Sequence, residues 1–395
     1  MLKNNKIIIV GGGPSGLFCA YLLLKEDYDV DLYDQSSGLA KKFLIAGNGG
    51  LNLTHSEQID EFSKRYTHNE TLFEDLITDF TPGDLRAFCL ELGVETFVGT
   101  SGRVFPKKLK AGEILVNWSK ELKAHPNFNL YLKHSLVDIT QSKELTFINE
   151  EKTITAKGDI IIMATGGGSW KKTGSDGKWL ELMDKLKIKT TALKPMNCGF
   201  EVSWSEILIK KLDRAHLKNI NISFDNHTSR GEIMITPSGI EGGGIYALSN
   251  FIRDAITESG ESVTITLDLK PDLNLNQVKE KLKNKKSKDS LANHLRKSLN
   301  LDKVAITLLN EVSRDITAEM IKSLPIKLNK TNPVDEAIST SGGVLFSELS
   351  PNLESIKVPG IYFAGEMLDF EAPTGGYLLQ GCFSTAYRVV SGIIS

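Results

Sequence analysis

A chain of 395 residues, 41% apolar, 24% charged and 8% aromatic, is long enough to bury a large core in more than one domain. Its 47 basic and 49 acidic side chains leave a formal net charge of −2, so no global field draws it to nucleic acid or to an anionic membrane. Cys19, Cys89, Cys198 and Cys382 lie too far apart for a redox dithiol or a zinc knuckle, so no metal site is expected and the thiols are read as reduced and mostly buried in a cytoplasmic protein. No secretory leader is expected, because Met1 to Lys6 is polar and the run after it is broken by glycine. No stretch reaches the roughly eighteen apolar residues of a membrane-spanning helix, so no membrane partner is expected.

The chain opens with a βαβ pattern: "KIIIV" as a buried strand, "SGLFCAYLLLKE" as a helix and "DVDLYD" as a second strand. A glycine-rich loop, "IAGNGGLNLTHSE", leads to polar helical stretches over about Leu72 to Asp79 and Pro82 to Leu92. "GRVFPKKLKAGEILVNWSKELKAH" predicts a short strand and an amphipathic helix, and "NLYLKHSLVDIT", "ELTFINE" and "TITAKGDIIIMATGG" read as strands. Beyond Lys194 and Pro195 the short alternating runs "GFEVSW", "NISFD", "GEIMIT" and "SVTITLDL" indicate a mostly antiparallel sheet. Asn274 to Leu324 is helical, and Lys279 to Lys303 carries nine Lys or Arg against three Asp or Glu. Glycine-punctuated strands, "TSGGVLF" and "VPGIYFAGE", then precede a last helix from about Leu378.

Gly11, Gly13 and Gly16 fit G-x-G-x-x-G between a strand and a helix. The first glycine permits a tight turn, the second lets the backbone approach a pyrophosphate, and the third lets helix and strand pack closely. The helix N-terminus offers free N–H groups to the anion. Asp34 ends the second strand eighteen residues beyond Gly16, where an acid accepts hydrogen bonds from an adenosine ribose. These residues indicate a dinucleotide, FAD or NAD. The far end of the chain favours FAD, because a strand ending in Gly365-Glu366 is followed by a helix starting at Gly375-Gly376. There the acid would hold the ribityl chain and the positive helix end would face the flavin pyrimidine. Thr165 and Gly166 close another strand in an ATG turn of the kind found beside FAD.

With "VGGGPSGL", "GRVFP", "ATGGGSW", "TSGGV" and "YFAGEMLDFEAPTGGYLLQG" in this order from end to end, the chain resembles the BaiN/RdsA-like FAD-dependent oxidoreductases, a bacterial family that also includes aminoacetone oxidase. Where many members carry S-G-x-G-R-C-N-x-T this chain has "AGNGGLNLT", so the family Arg and Cys fall on Gly50 and Leu51 while Asn52 and Thr54 are retained. The resemblance implies an α/β fold: a Rossmann-like two-segment FAD-binding domain with an inserted antiparallel β domain and a helical domain. The boundaries expected are 1–192 for the first FAD segment, 193–273 for the β domain, 274–325 for the helical domain, 326–335 for the return through the β domain and 336–395 for the second FAD segment. The cofactor-binding set expected is Gly11, Gly13, Pro14, Ser15, Gly16, Asp34, Gln35, Lys42, Asn52, Thr54, Leu136, Ala164, Thr165, Gly166, Gly365, Glu366, Gly375, Gly376 and Tyr377.

A flavin performs the hydride chemistry itself, and the protein adds orientation, exclusion of water and a proton. His55, ending the glycine loop, and Tyr377, starting the last helix, are the candidate proton donors. No second G-x-G-x-x-G occurs, since Lys171 stands where the third glycine of "GGGSWKK" would fall. NAD(P)H would therefore act as a transient electron donor docked against the flavin. Three readings stay open. Reduced flavin adds hydride to an activated C=C bond, as in an enone or the 5,6 bond of a uracil. Alternatively, oxidised flavin takes hydride from a small amine and is reoxidised by dioxygen. In the third, the protein is an RNA-binding flavoprotein acting on or near ribosomal RNA through Lys279 to Lys303.

Overall fold

The structure, a computed structural model, describes residues 5–47, 50–284 and 288–395. The chain divides into two compact units, residues 1–194 with 339–395, and residues 195–338.

The first unit is built on a five-stranded parallel sheet. From one edge to the other its strands are Ile361–Phe363, Ile160–Met163, Ile7–Val10, Val30–Asp34 and Phe128–Leu132. Strands covered on both faces read as unbroken apolar runs, and "IIIV" and "IIIM" are wholly buried. The helix Pro14–Lys25 crosses between the first two sequential strands and packs against the last helix, Tyr377–Ile394. Phe18 from the first helix meets Phe383 from the last at 4.9 Å between ring centroids, inside an aromatic cluster with Phe80, Phe88 and Trp118. The N-terminal and C-terminal segments of this unit therefore share one core.

Two runs that read as single strands are each two strands of different sheets. "NLYLKHSLVDIT" turns at Lys133, whose φ is +60°, so Phe128–Leu132 joins the parallel sheet while Ser135–Ile139 begins a three-stranded antiparallel sheet. "TITAKGDIIIM" breaks at Gly158 and Asp159, with Lys152–Lys157 in the antiparallel sheet and Ile160–Met163 in the parallel one. The glycine-rich loop also begins as a helix, Lys41–Ala46, and ends in the short strand Thr54–His55, which pairs with Arg103–Pro106. Asn48 and Gly49 of that loop lie outside the described residues.

The second unit holds a six-stranded sheet in which every neighbouring pair is antiparallel. The helical stretch expected as a domain of its own shares its core with this sheet: Val278, Leu295 and Leu308 pack with Ile222 and Ile265. The final strand, Leu324–Leu328, returns from the helices to pair with Val263–Asp268.

Candidate functional site

A cavity opens at the carboxyl ends of the parallel strands, the usual ligand position in open α/β sheets. Its floor is the turn from Val10 to Ser15, and its walls include Asp34, Gln35, Lys42, Leu136, Ala164, Thr165, Gly166 and Glu366.

The three motif glycines do different work. A Cβ on Gly11, whose φ is +110°, would run into the carbonyl oxygen of Ala164, and one on Gly16 would run into the carbonyl oxygen of Gly11. Both are packing glycines that let the helix and the neighbouring strand close on the turn. Gly13 differs, because a Cβ there would meet nothing within 4 Å. Pro14 occupies the first helical position and no side chain caps the helix, so the first-turn N–H groups face open space with the partial positive charge of a helix start. That combination is what a pyrophosphate requires.

Asp34 has a structural task as well as a wall position. Its Oδ2 accepts from the Gly12 N–H at 2.6 Å and its Oδ1 from the Ser36 N–H at 2.6 Å, which locks the glycine turn to the end of the second strand. Burial pushes its carboxyl above the usual Asp range, and the two main-chain hydrogen bonds only partly offset this. Gln35 donates to the Gly174 carbonyl at 2.6 Å, and Ser15 donates its hydroxyl to the Cys382 carbonyl at 3.1 Å. The Ser15 side chain thus joins the first helix to the last.

Lys42 and Glu366 connect the two chain segments across the cavity. The Lys42 ammonium donates to both Glu366 carboxylate oxygens at 3.0 and 2.8 Å and to Ser169 Oγ at 2.7 Å. Glu366 Oε1 also accepts from the Thr340 N–H at 3.0 Å, and Thr340 Oγ1 accepts from the Gly168 N–H at 3.0 Å. Ser169 and Thr340 were not among the expected site residues. Their signal lay in "ATGGGSW" and "TSGGV", whose pattern shows relatedness but not which side chains meet.

A second cluster gathers at the start of the last helix. Gly376, with φ of +105°, lies against the Thr54 main chain, where a Cβ would come within 2.5 to 2.7 Å of three backbone atoms. The need for glycine there is set by this backbone contact within the protein. Gly375 lies beside Arg103, whose Nε would be 3.4 Å from a Cβ. Gly365, with φ of +79°, packs on the Ser15 hydroxyl. Tyr377 stacks on His55 at 5.3 Å between centroids and meets the edge of Phe62 at 4.8 Å.

His55 Nε2 donates to the Ser101 carbonyl at 2.9 Å and Nδ1 accepts from the Glu57 N–H at 3.2 Å, so both ring nitrogens are engaged by main chain. This arrangement fits the tautomer with the proton on Nε2, directed at the Ser101 carbonyl. Burial pushes the Tyr377 phenol well up, and its hydrogen bond to Glu57 and that carboxylate's charge push it further. Arg65 grips Glu57 in turn, with Nε on Oε1 at 3.0 Å and Nη2 on Oε2 at 2.9 Å.

Of the expected cofactor residues, the cavity is lined by Gly11, Gly13, Pro14, Ser15, Asp34, Gln35, Lys42, Leu136, Ala164, Thr165, Gly166 and Glu366, and its lining does not include Asn52, Thr54, Gly375, Gly376 or Tyr377. Asn52 Oδ1, Thr54 Oγ1 and Ser175 Oγ are buried and have no hydrogen-bond partner within the protein. Buried polar atoms are rarely left so, and a polar ligand in the cavity would meet the Ser175 hydroxyl; Trp118 Nε1 and Gln380 Oε1 are likewise without a partner within the protein. Thr54 lies against Gly376, and Ser175 lines the cavity.

A glycine turn with room for pyrophosphate, an acid at the adjacent strand end and a second segment returning with Glu366 and a bare helix start define an FAD-dependent oxidoreductase. The chain belongs to the HI0933-like protein family, whose Rossmann-domain model matches residues 5–392. It is 25% identical to a 3-dehydro-bile acid delta(4,6)-reductase of Clostridium scindens, over 97% of this chain and 97% of that protein. It is 23% identical to a ribosomal RNA dihydrouridine synthase of Haemophilus influenzae, over 100% of this chain and 99% of that one. Among solved structures, a 3-ketosteroid delta1-dehydrogenase of Sterolibacterium denitrificans matches with a TM-score of 0.54 and 10% identity, over 99% of each chain, which is a likeness of fold. Among the described residues no helix is long and apolar enough to cross a membrane.

Proposed function

We propose that the protein passes hydride from NADH or NADPH, by way of its FAD, to an activated C=C bond in a small molecule. The observation that carries this reading is that two relatives aligned over nearly their whole lengths are named for work on such bonds, one a bile-acid reductase and the other a synthase of dihydrouridine. FAD, when bound, supplies a reversible two-electron hydride carrier. The chain's own part is to bind and orient. In this reading the first-turn N–H groups after Gly13 hold the pyrophosphate, Asp34 accepts from the ribose, and Glu366, fixed by Lys42 and the Thr340 N–H, accepts from the ribityl hydroxyls. Asn52 and Thr54 supply polar atoms toward the ring end. Four buried cysteines without disulfides agree with a cytoplasmic setting.

The Haemophilus relative's name favours a second reading, in which the C=C bond is that of a uridine in RNA. Lys279 to Lys303 would be the contact, although Lys279, Lys283 and Lys297 already pair with Glu319, Glu280 and Asp289. Lys285 and Lys286 lie outside the described residues.

The deciding experiment mixes FAD-loaded protein with NADH or NADPH without oxygen, then adds an enone, free uridine or a structured RNA. Bleaching of the flavin followed by recovery of colour with a saturated product supports the proposal, and the substrate that restores colour separates its two forms. Slow bleaching by both nicotinamides, with fast peroxide formation from a small amine in air, would replace it with amine oxidation.

A further inference from the structure

We propose that Ser169 is a positioning residue for the cofactor: acting through Lys42, it holds the Glu366 carboxylate so that Oε2 alone is left to accept one cofactor hydroxyl. The inference rests on the reading in which Glu366 accepts from the ribityl chain of FAD, and is independent of the substrate that the flavin reduces. Ser169 follows the turn of Ala164, Thr165 and Gly166 and is fully buried. Its Oγ accepts from the Lys42 ammonium at 2.7 Å, while the same ammonium donates to Glu366 Oε1 at 3.0 Å and to Oε2 at 2.8 Å.

An ammonium has three N–H donors and no acceptor, so Lys42 is fully engaged within the protein and offers the cofactor its charge but no hydrogen bond. A carboxylate oxygen accepts about two hydrogen bonds. Oε1 of Glu366 already takes Lys42 and the Thr340 N–H, both at 3.0 Å, whereas Oε2 takes Lys42 alone among the described residues. Glu366 and Lys42 both line the cavity, so one acceptor position on Oε2 remains for a ligand there. The sequence marks Lys42 as a cofactor-binding residue, and the geometry gives it the task of aiming Glu366.

A closed ring of hydrogen bonds fixes Ser169 in its turn. The Gly168 N–H donates to Thr340 Oγ1 at 3.0 Å and the Thr340 N–H donates to Glu366, so the two partners of the lysine are tied to each other. Gly167 lets the ring close, because a Cβ there would stand 2.5 Å from Thr340 Oγ1 and 3.3 Å from the Glu366 carboxyl carbon. The lysine is the loose member, since its ammonium is a point charge on a flexible stem and its side chain is 24% exposed. Without the Ser169 hydroxyl the third N–H loses its acceptor, and the ammonium can turn and take the open position on Oε2. A charged donor would then compete with the cofactor hydroxyl for the one acceptor position left.

Ser169→Ala, Glu366→Gln and the double variant test this by titration of the cofactor-free protein with FAD and, separately, with ADP, which shares adenosine and pyrophosphate with FAD but has no ribityl chain. Ser169→Ala should weaken FAD about fivefold, within the range for one hydrogen bond, and leave ADP within about twofold of wild type. An unchanged ADP affinity also shows that the variant is folded. Adding Ser169→Ala to Glu366→Gln should weaken FAD by no more than about a further twofold, because the serine acts through that carboxylate. Equal losses for FAD and ADP would make the role of Ser169 structural only, and an unchanged FAD affinity would show Glu366 held without it; either result overturns the proposal. Losses that multiply in the double variant would overturn the path through Glu366. An unchanged FAD affinity in Glu366→Gln is the separate result that overturns the ribityl reading itself, and the proposal with it.

Discussion

The Lys42 ammonium and the Glu366 carboxylate, 324 positions apart in the chain, meet through two hydrogen bonds of 3.0 and 2.8 Å. The Glu366 side chain is 9% exposed and that of Lys42 24%, so water screens the pair only on the lysine side. Lys42→Met should strand the carboxylate with the Thr340 N–H and lower stability by about 2–3 kcal/mol, below the full buried-pair range because of that exposure. Glu366→Gln should cost less, and the double variant should recover about 1 kcal/mol or more of the sum. Denaturant unfolding of the four proteins checks this, and simple additivity would show that the two side chains do not act as a pair.

Gly13 and Gly376 should separate cofactor binding from folding. Gly13→Ala places a methyl in open space at φ of −79°, so the cofactor-free protein should keep its stability to within about 1 kcal/mol while FAD affinity falls at least about tenfold. Gly376→Ala drives a methyl into the Thr54 main chain at a positive φ and should destabilise the protein even without FAD. Melting curves with and without FAD distinguish the two. A Gly13→Ala protein with unchanged affinity would remove the pyrophosphate from this turn.

Asp34 links binding to pH. Burial raises its carboxyl above the ordinary Asp value of about 3.9, so protonation begins at a higher pH than for an exposed aspartate. The folded state then holds this proton more tightly than the unfolded chain does. Its contribution to the stability of the cofactor-free protein is therefore least favourable above the raised value and improves as pH falls through it. FAD binding should move the opposite way, weakening over the same window as the acceptor loses its charge. Titrations of FAD at several acidic pH values check the slope. Asp34→Ala should weaken FAD about ten- to a hundredfold at neutral pH, the range for hydrogen bonds to a charged group, and should flatten that slope.

The four thiols should be inert in the folded protein. Burial pushes Cys89, Cys198 and Cys382 up to about 12, and Cys19 higher still. Since the thiolate is the reactive form, a disulfide reagent at neutral pH should titrate none of them until denaturant is added, and all four afterwards. A thiol that reacts in the native state at the rate of a free cysteine would contradict the packing around it.

The sequence made the glycine turn, Asp34, the ATG turn and the Gly365-Glu366 segment readable, because each marks a backbone requirement that only a few residue types meet. What it concealed depends on long-range meetings of ordinary residues. Lys42 belongs to a polar helix start, and only the fold brings it to Glu366. Nothing in the sequence marks Glu57 or Arg65, yet the fold pairs them, with the Arg65 guanidinium over the Tyr377 ring. His55 was assigned a proton role from its place after the glycine loop, and the hairpin tip at Ser101 uses the nitrogen that such a role requires. The strand breaks at Lys133 and Gly158 were missed because only two residues separate the strands of two different sheets.

The central claim is that segments from the two ends of the chain form one FAD cradle, and a spectroscopic titration of the cofactor-free protein with FAD tests it most directly. One equivalent should bind per chain with a shifted flavin absorption band. Binding should weaken both in Gly13→Ala, at the N-terminal segment, and in Glu366→Gln, at the C-terminal one. A protein that binds no FAD, or whose affinity responds to Gly13 but not to Glu366, would contradict the two-segment cradle.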